Sequence, residues 1–221
     1  MKKLMPLAAS IVLILVAGMF ASAGTMAWFI DPEQIGTNTF TAAYLDLQLS
    51  GSSSLPFVLA NLVPGQSGSD YKTLTNTAGS IPGELDVSIT NYVESENGCL
   101  EPEVSAGDPG GAGDLHLALR IAMFIDVNQD QTYNSGDVEL CYEGSQQTYP
   151  GNAGGNLHYS DPTNFAGRTY DDIITMTGGS SVNLVVAYKF PHDTYPKPDA
   201  IFMTDTLSFD IDVSLEQVGT P

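Results

Sequence analysis

The eleven residues from Thr206 to Glu216 set the strongest limit on the fold. Leu207, Phe209, Ile211, Val213 and Leu215 alternate with Ser208, Asp210, Asp212 and Ser214. A period of two puts the apolar set on one face of a strand and leaves the other face to water. Gly83 to Glu94 repeats the pattern, with Leu85, Val87, Ile89 and Tyr92 set among Glu84, Asp86, Ser88 and Thr90. So does Ser181 to Phe190, where Val182, Leu184, Val186 and Tyr188 alternate with Asn183, Val185 and Ala187. Half-buried strands of this kind need a second layer to cover them.

Further strands are expected over Phe40–Leu49, Pro56–Val63, Tyr71–Asn76 and Asp137–Tyr142. Another is expected over Leu115–Asp126, with Leu117, Leu119, Ile121, Met123 and Ile125 on one face. Thr169–Met176 fits either a short helix or a strand. Turn signals separate these runs: Gly51-Ser-Ser-Ser54, Pro64-Gly65 and Asn76-Thr-Ala-Gly79. Two long polar excursions, Glu96–Gly113 and Tyr149–Gly167, interrupt them. With 22 Gly and 13 Pro and no long helical period outside the leader, the pattern predicts an all-β chain. The expected form is a single antiparallel β-sandwich of jelly-roll type, with an Ig-like arrangement as the alternative.

The N-terminus is of another kind. Met1-Lys2-Lys3 is a basic n-region, Leu4 to Phe20 is almost uninterrupted apolar sequence, and Ala21-Ser22-Ala23 is a small-residue cleavage pattern. Together they predict a secretory signal peptide within residues 1–27, cut between about 23 and 28. The apolar run is also long enough to span a bilayer if retained, so the alternative is a type IV-like pilin that keeps its hydrophobic helix. Either way the chain is expected outside the cell or at its surface. The membrane enters only through an uncleaved leader, and signal peptidase is a partner during export.

The full chain carries 7 Lys and Arg against 26 Asp and Glu, a formal charge of −19. Removing Lys2 and Lys3 leaves five bases against 26 acids, or −21. Such a surface repels phosphate backbones, so no nucleic-acid partner is expected. It suits divalent cations or high salt, and equally simple solvation. Cys99 and Cys141 are the two cysteines, and an even count in an exported chain predicts one disulfide.

One motif carries cation chemistry. Asp126, Asn128, Asp130, Thr132, Asn134 and Asp137 occupy positions 1, 3, 5, 7, 9 and 12 of a twelve-residue run. That is the spacing at which alternate oxygens of a tight loop converge on calcium. Gln131 stands where glycine usually makes the sharp turn, and Asp137 replaces the longer glutamate. The flanks read as strands, not EF-hand helices, and an Asx-rich hairpin turn needing no metal fits the same residues. Calcium is the only cofactor expected. No catalytic residue is assigned and the chain is not expected to be an enzyme. His116, His158 and His192 are scattered without an HExxH pattern, no GxSxG occurs, and the glycine pairs lack a phosphate-loop context. Tyr44, Tyr71, Tyr92 and Tyr188 are expected to pack in strands.

Four segments in order resemble the TasA/camelysin family. Gly24-Thr-Met-Ala-Trp-Phe-Ile-Asp31 is similar to its processing region, and Asn38–Leu47 (NTFTAAYLDL) to its F-x-x-G-x-L-D-L strand. Leu59–Gln66 (LANLVPGQ) resembles its L-x-N-L-x-P-G-D segment, and Thr73–Ser80 (TLTNTAGS) its N-x-G-S turn. Ala43 stands in place of the usual Gly and Gln66 in place of the usual Asp. The likeness covers about the first 95 residues, and the acidic loop is more like archaeal members. It implies a jelly-roll domain over 39–221 that polymerises head to tail with copies of itself into extracellular fibres or bundling pili of a biofilm matrix. In this scheme an N-terminal segment completes a neighbour's sheet by donor-strand complementation. On this sequence the donor is expected over residues 28–38, anchored by Phe29, Ile30 and Ile35; a strand in the chain's own sheet is the alternative. The family name also implies a peptidase. A secreted metallopeptidase using the acidic loop is therefore the second functional reading, although no recognisable protease site supports it.

Overall fold

A computed structural model describes residues 30–34, 45–51, 62, 64–96, 98, 101–107, 111, 113–143, 146–150, 155–192, 199–202 and 204–218. The leader, both proposed cleavage points, Phe29, Ile35, Cys99 and most of the Pro56–Val63 run lie outside these residues.

The architecture is all-β, two antiparallel sheets packed as a sandwich. The first has the order β1 (Ile30–Gln34), β11 (Thr206–Gln217), β4 (Gly83–Ser95), β8 (Thr169–Tyr170), with β9 (Thr175–Met176) also pairing on β4. The second runs β2 (Leu47–Gly51), β3 (Ser67–Asn76), β10 (Ser181–Lys189), β5 (Arg120–Asp126), β6 (Val138–Glu143), β7 (Gln146–Pro150). Every ladder is antiparallel.

The alternation seen in sequence sets the core. Leu85, Val87 and Ile89 of β4 and Ile211, Val213 and Leu215 of β11 meet Leu74, Ile121, Met123, Ile125, Leu184 and Val186 of the opposing sheet. At about 25 cal/mol per Å² of apolar surface, this shared core is the main term that holds the sheets together. Truncating a fully buried leucine such as Leu85 to alanine costs about 2–5 kcal/mol.

The period breaks once in β4, and the break has a cause. The ladder with β11 shifts register between Ser208 and Asp210, and Asn91 there takes φ +50°. This β-bulge inserts one residue, which turns Tyr92 to the side its number alone would deny it and leaves Val93 51% exposed.

Several boundaries differ from the sequence expectation. The strand expected from Leu115 begins at Arg120. Leu115–Leu117 instead forms a 3₁₀ turn, since Glu94 accepts the His116 N–H and Asp205 the Asp114 N–H, pulling the chain off the strand path. β3 starts at Ser67, not Tyr71. Thr169–Met176 resolves into two two-residue strands. The first excursion carries a short helix, α1 (Glu101–Ala106).

The turns written in sequence work as joints. Asn76 is fully buried and its Nδ2 donates to the carbonyls of Ile81 and Met176, both at 2.9 Å. Gly178 packs so close to this turn that a Cβ would lie 2.2 Å from the Ser80 carbonyl oxygen. Gly65, at φ +91°, donates to the Phe190 carbonyl, and Phe190 N–H returns to Gln66. The motifs that carry the family resemblance here thus have structural duties of their own.

Candidate functional site

The acidic run is a hairpin loop between β5 and β6, closed at both ends by buried carboxylates. Asp126 is fully buried and Asp137 is 1% exposed. Asp126 Oδ1 accepts from Asp130 N–H at 3.3 Å; its Oδ2 accepts from Gln131 N–H at 2.8 Å and Asn183 Nδ2 at 3.1 Å. Asp137 accepts from Val127 N–H at 2.9 Å and from Asn134 N–H at 2.8 Å. Burial pushes the Asp137 carboxyl above the usual range. The two backbone donors oppose that push, and the charges of Asp126 and Asp130 add to it.

Between these ends the backbone adopts the left-handed conformation at Gln129 and at Gln131, both φ +62°. The loop therefore makes the turn that glycine would make, at a cost of about 1–2 kcal/mol for each non-glycine residue. Asn134 Nδ2 lies 2.9 Å from Asp130 Oδ2 and 2.8 Å from the Thr132 carbonyl; Asn128 Nδ2 lies 3.1 Å from Asp130 Oδ2 and 3.3 Å from Asn134 Oδ1. The two amide groups thus stand where oxygens converge. A half-turn of each would replace a donor by an acceptor at that point. Asp126, Asn128, Asp130, Thr132, Asn134 and Asp137 all lie on this one loop, but the carboxylates of Asp126, Asp130 and Asp137 do not gather within 4.8 Å of one another. Tyr133, from the same loop, turns away to pack edge-on to Phe124, with ring centroids 5.3 Å apart.

The candidate donor is only partly described. Ile30–Gln34 forms β1, the edge strand of the first sheet, in its own chain's ladder on β11, from Ile30 opposite Glu216 to Gln34 opposite Asp212. Of the three expected anchors Ile30 lies in β1, while Phe29 and Ile35 lie outside the described residues. β11 is 12 residues long and β1 covers five of them. Among the described residues, Thr206–Ile211 has no strand on that side.

Sequence reasoning missed a second acidic group. β8 lies against β4, which brings Asp171 and Asp172 to Asp86, with ligand oxygens all within 4.8 Å of one another. Asp86 accepts the Asp172 N–H at 2.8 Å. Burial pushes its carboxyl up to about 7; the Asp172 N–H works against this, and Asp171 and Glu216 reinforce it. The Asp171-Asp172 pair was visible in sequence. Its partner, far away in the chain, was not.

The histidines have structural company. His116 Nδ1 lies 2.8 Å from Glu94, and His158 Nδ1 lies 2.8 Å from the fully buried Glu139, which also accepts the His158 N–H. His192 is exposed. Cys141 is buried in β6, whereas its expected partner Cys99 is outside the described residues. Among the described residues no helix is long and apolar enough to cross a membrane. No protein-family model and no curated protein matches the chain.

Proposed function

We propose that this protein is a secreted structural subunit of the TasA/camelysin type, with a jelly-roll sandwich that polymerises by strand exchange into extracellular fibres or pili. The observation that carries the reading is β1: a five-residue strand held on the sheet edge, with twelve residues between it and β2. Twelve residues reach up to about 40 Å when extended. Passing β1 to the β11 edge of another copy replaces each ladder bond with an identical one, so exchange loses little enthalpy. Contacts passed head to tail do not close, and a filament results. The segment that holds the molecule's own edge is then the one that joins the next. Deleting residues 29–36 from the secreted protein yields a folded monomer that forms no filaments by electron microscopy; filaments at the normal rate in that variant would remove the donor assignment.

We infer further that the 126–137 loop takes up calcium, the amides of Asn128 and Asn134 turning to present oxygen. Calcium then raises the melting temperature of the wild-type chain and leaves that of Asp130→Ala unchanged. Equal shifts in the two proteins would place the ion elsewhere, Asp86, Asp171 and Asp172 being the next group to test.

A further inference from the structure

Carboxylates also gather where β4 leaves the first sheet. Three segments meet there: Glu96 and Gly98 after β4, Glu103 on α1, and Thr204-Asp205 leading into β11. Thr204 Oγ1 lies 3.0 Å from Glu96 Oε1, 2.7 Å from the Gly98 carbonyl and 3.1 Å from Oε1 of the fully buried Glu103. One hydroxyl has one hydrogen to give, and Glu96 Oε1 accepts the Gly98 N–H as well, at 3.2 Å. Asp205 Oδ2 accepts the Asp114 N–H at 2.6 Å. Its Oδ1 is buried with no donor against it, and the side chain is in hydrogen-bond reach of Glu96. Among the described residues neither Glu96 nor Asp205 forms an ion pair with a lysine or arginine. Two facing carboxyl groups bond to each other only when a proton stands between them.

We propose that this junction is a pH-operated clasp, in which a proton shared by Asp205 and Glu96 fastens the end of β4 and α1 to the head of β11. Loss of that proton sets like charges face to face and releases α1. Among the described residues, the groups facing Asp205 are Glu96 from the end of β4 and Asp114 from the segment before the 3₁₀ turn, with Glu103 of α1 behind Thr204. Glu94, on the same strand end, is engaged by His116. Burial is the chief reason the Asp205 carboxyl is pushed up to about 7. The Asp114 N–H pulls it back, and the hydrogen bond and charge of Glu96 and the charge of Asp114 add to the rise. A carboxyl raised in the closed form holds the clasp fully below about pH 4 and loses that hold as pH rises through about 7. The clasp stands on this geometry whether or not the chain forms filaments.

Hydrogen exchange of the full secreted chain at pH 5.5 and pH 8.5, corrected for the intrinsic rate, tests it. Protection of Gly107 and Asp114 should fall by about 10- to 100-fold at the higher pH, while the centre of β10 stays unchanged. Asp205→Asn keeps the acceptor for Asp114 and donates an amide hydrogen to Glu96, so it should stay closed at both pH values. Glu96→Gln supplies the donor from the other side and tests the same point should the first variant fold poorly. Equal wild-type protection at the two pH values overturns the clasp, as does full pH dependence in both variants. Protection that follows calcium and chelator instead of pH would assign these oxygens to a cation and overturn it too.

Discussion

The two sheets of this sandwich are built to different rules. In the second sheet β5 and β10 each bury six consecutive residues, Ile121–Asp126 and Val182–Ala187. Its outer face is roofed by Tyr133 and Leu157 over Phe124 and Val185, and Lys189 Nζ sits 3.8 Å above the Tyr159 ring. In the first sheet, among the described residues, the face away from the core is largely open, with Asp86 the buried exception. Ser208 and Asp210 of β11 are exposed, Asp212 and Ser214 half-buried, and Glu84 stands directly opposite Glu216. Like charges opposed across a ladder weaken it. One sheet is thus a closed interior layer carrying the acidic loop, and the other is a charged outer layer ending in a short edge strand. A subunit that exchanges a strand needs one half that stays rigid and one edge that can change hands.

That contrast can be broken on the closed side first. Asp126→Ala strips a fully buried acceptor from Asp130, Gln131 and Asn183 and should destabilise the chain by about 3 kcal/mol in urea denaturation. A loss under about 1 kcal/mol would show the second sheet to be less tightly built than its burial implies. On the open side, Asp86 should make stability fall as pH rises. Its carboxyl is raised in the folded chain, so its contribution is complete below about pH 4 and gone above about pH 7. The loss is on the order of 2 kcal/mol after discounting for solvent, and Asp86→Asn should flatten the slope. The smallest effect sharpens the loop itself. Gln131→Gly relieves a non-glycine φ of +62° and should stabilise by about 1 kcal/mol. A destabilisation would mean that the Gln131 side chain matters more than its backbone.

How much of this was legible in sequence follows the same division. β4, β10 and β11 announce themselves because a one-sided or nearly one-sided sheet writes a period of two. β5 was recognised but started too early, because its true start depends on Glu94 and Asp205, which reach His116 and Asp114 from elsewhere in the chain. That β5 is buried on both faces was not legible, since its roof comes from residues such as Leu157, beyond the next two strands. The 126–137 run was fully local, so its hairpin loop could be read directly, although its three carboxylates do not gather within 4.8 Å as those of Asp86, Asp171 and Asp172 do. The Asp86, Asp171 and Asp172 group was not local, and only the β4–β8 pairing creates it. The edge position of β1 lay between the two cases. The segment stood out in sequence, but its partner strand did not.

The account turns on whether β1 holds its own edge or another copy's. Pro32 and Ser214 stand opposite each other in the β1–β11 ladder, at a Cα separation that a disulfide spans. Filaments grown from an equal mixture of Pro32→Cys and Ser214→Cys chains, then oxidised, give the direct answer on a non-reducing gel. Strand exchange predicts disulfide-linked dimers that contain one chain of each kind. Filaments that yield no such dimers, while the double variant closes the bond within a single chain, would contradict it.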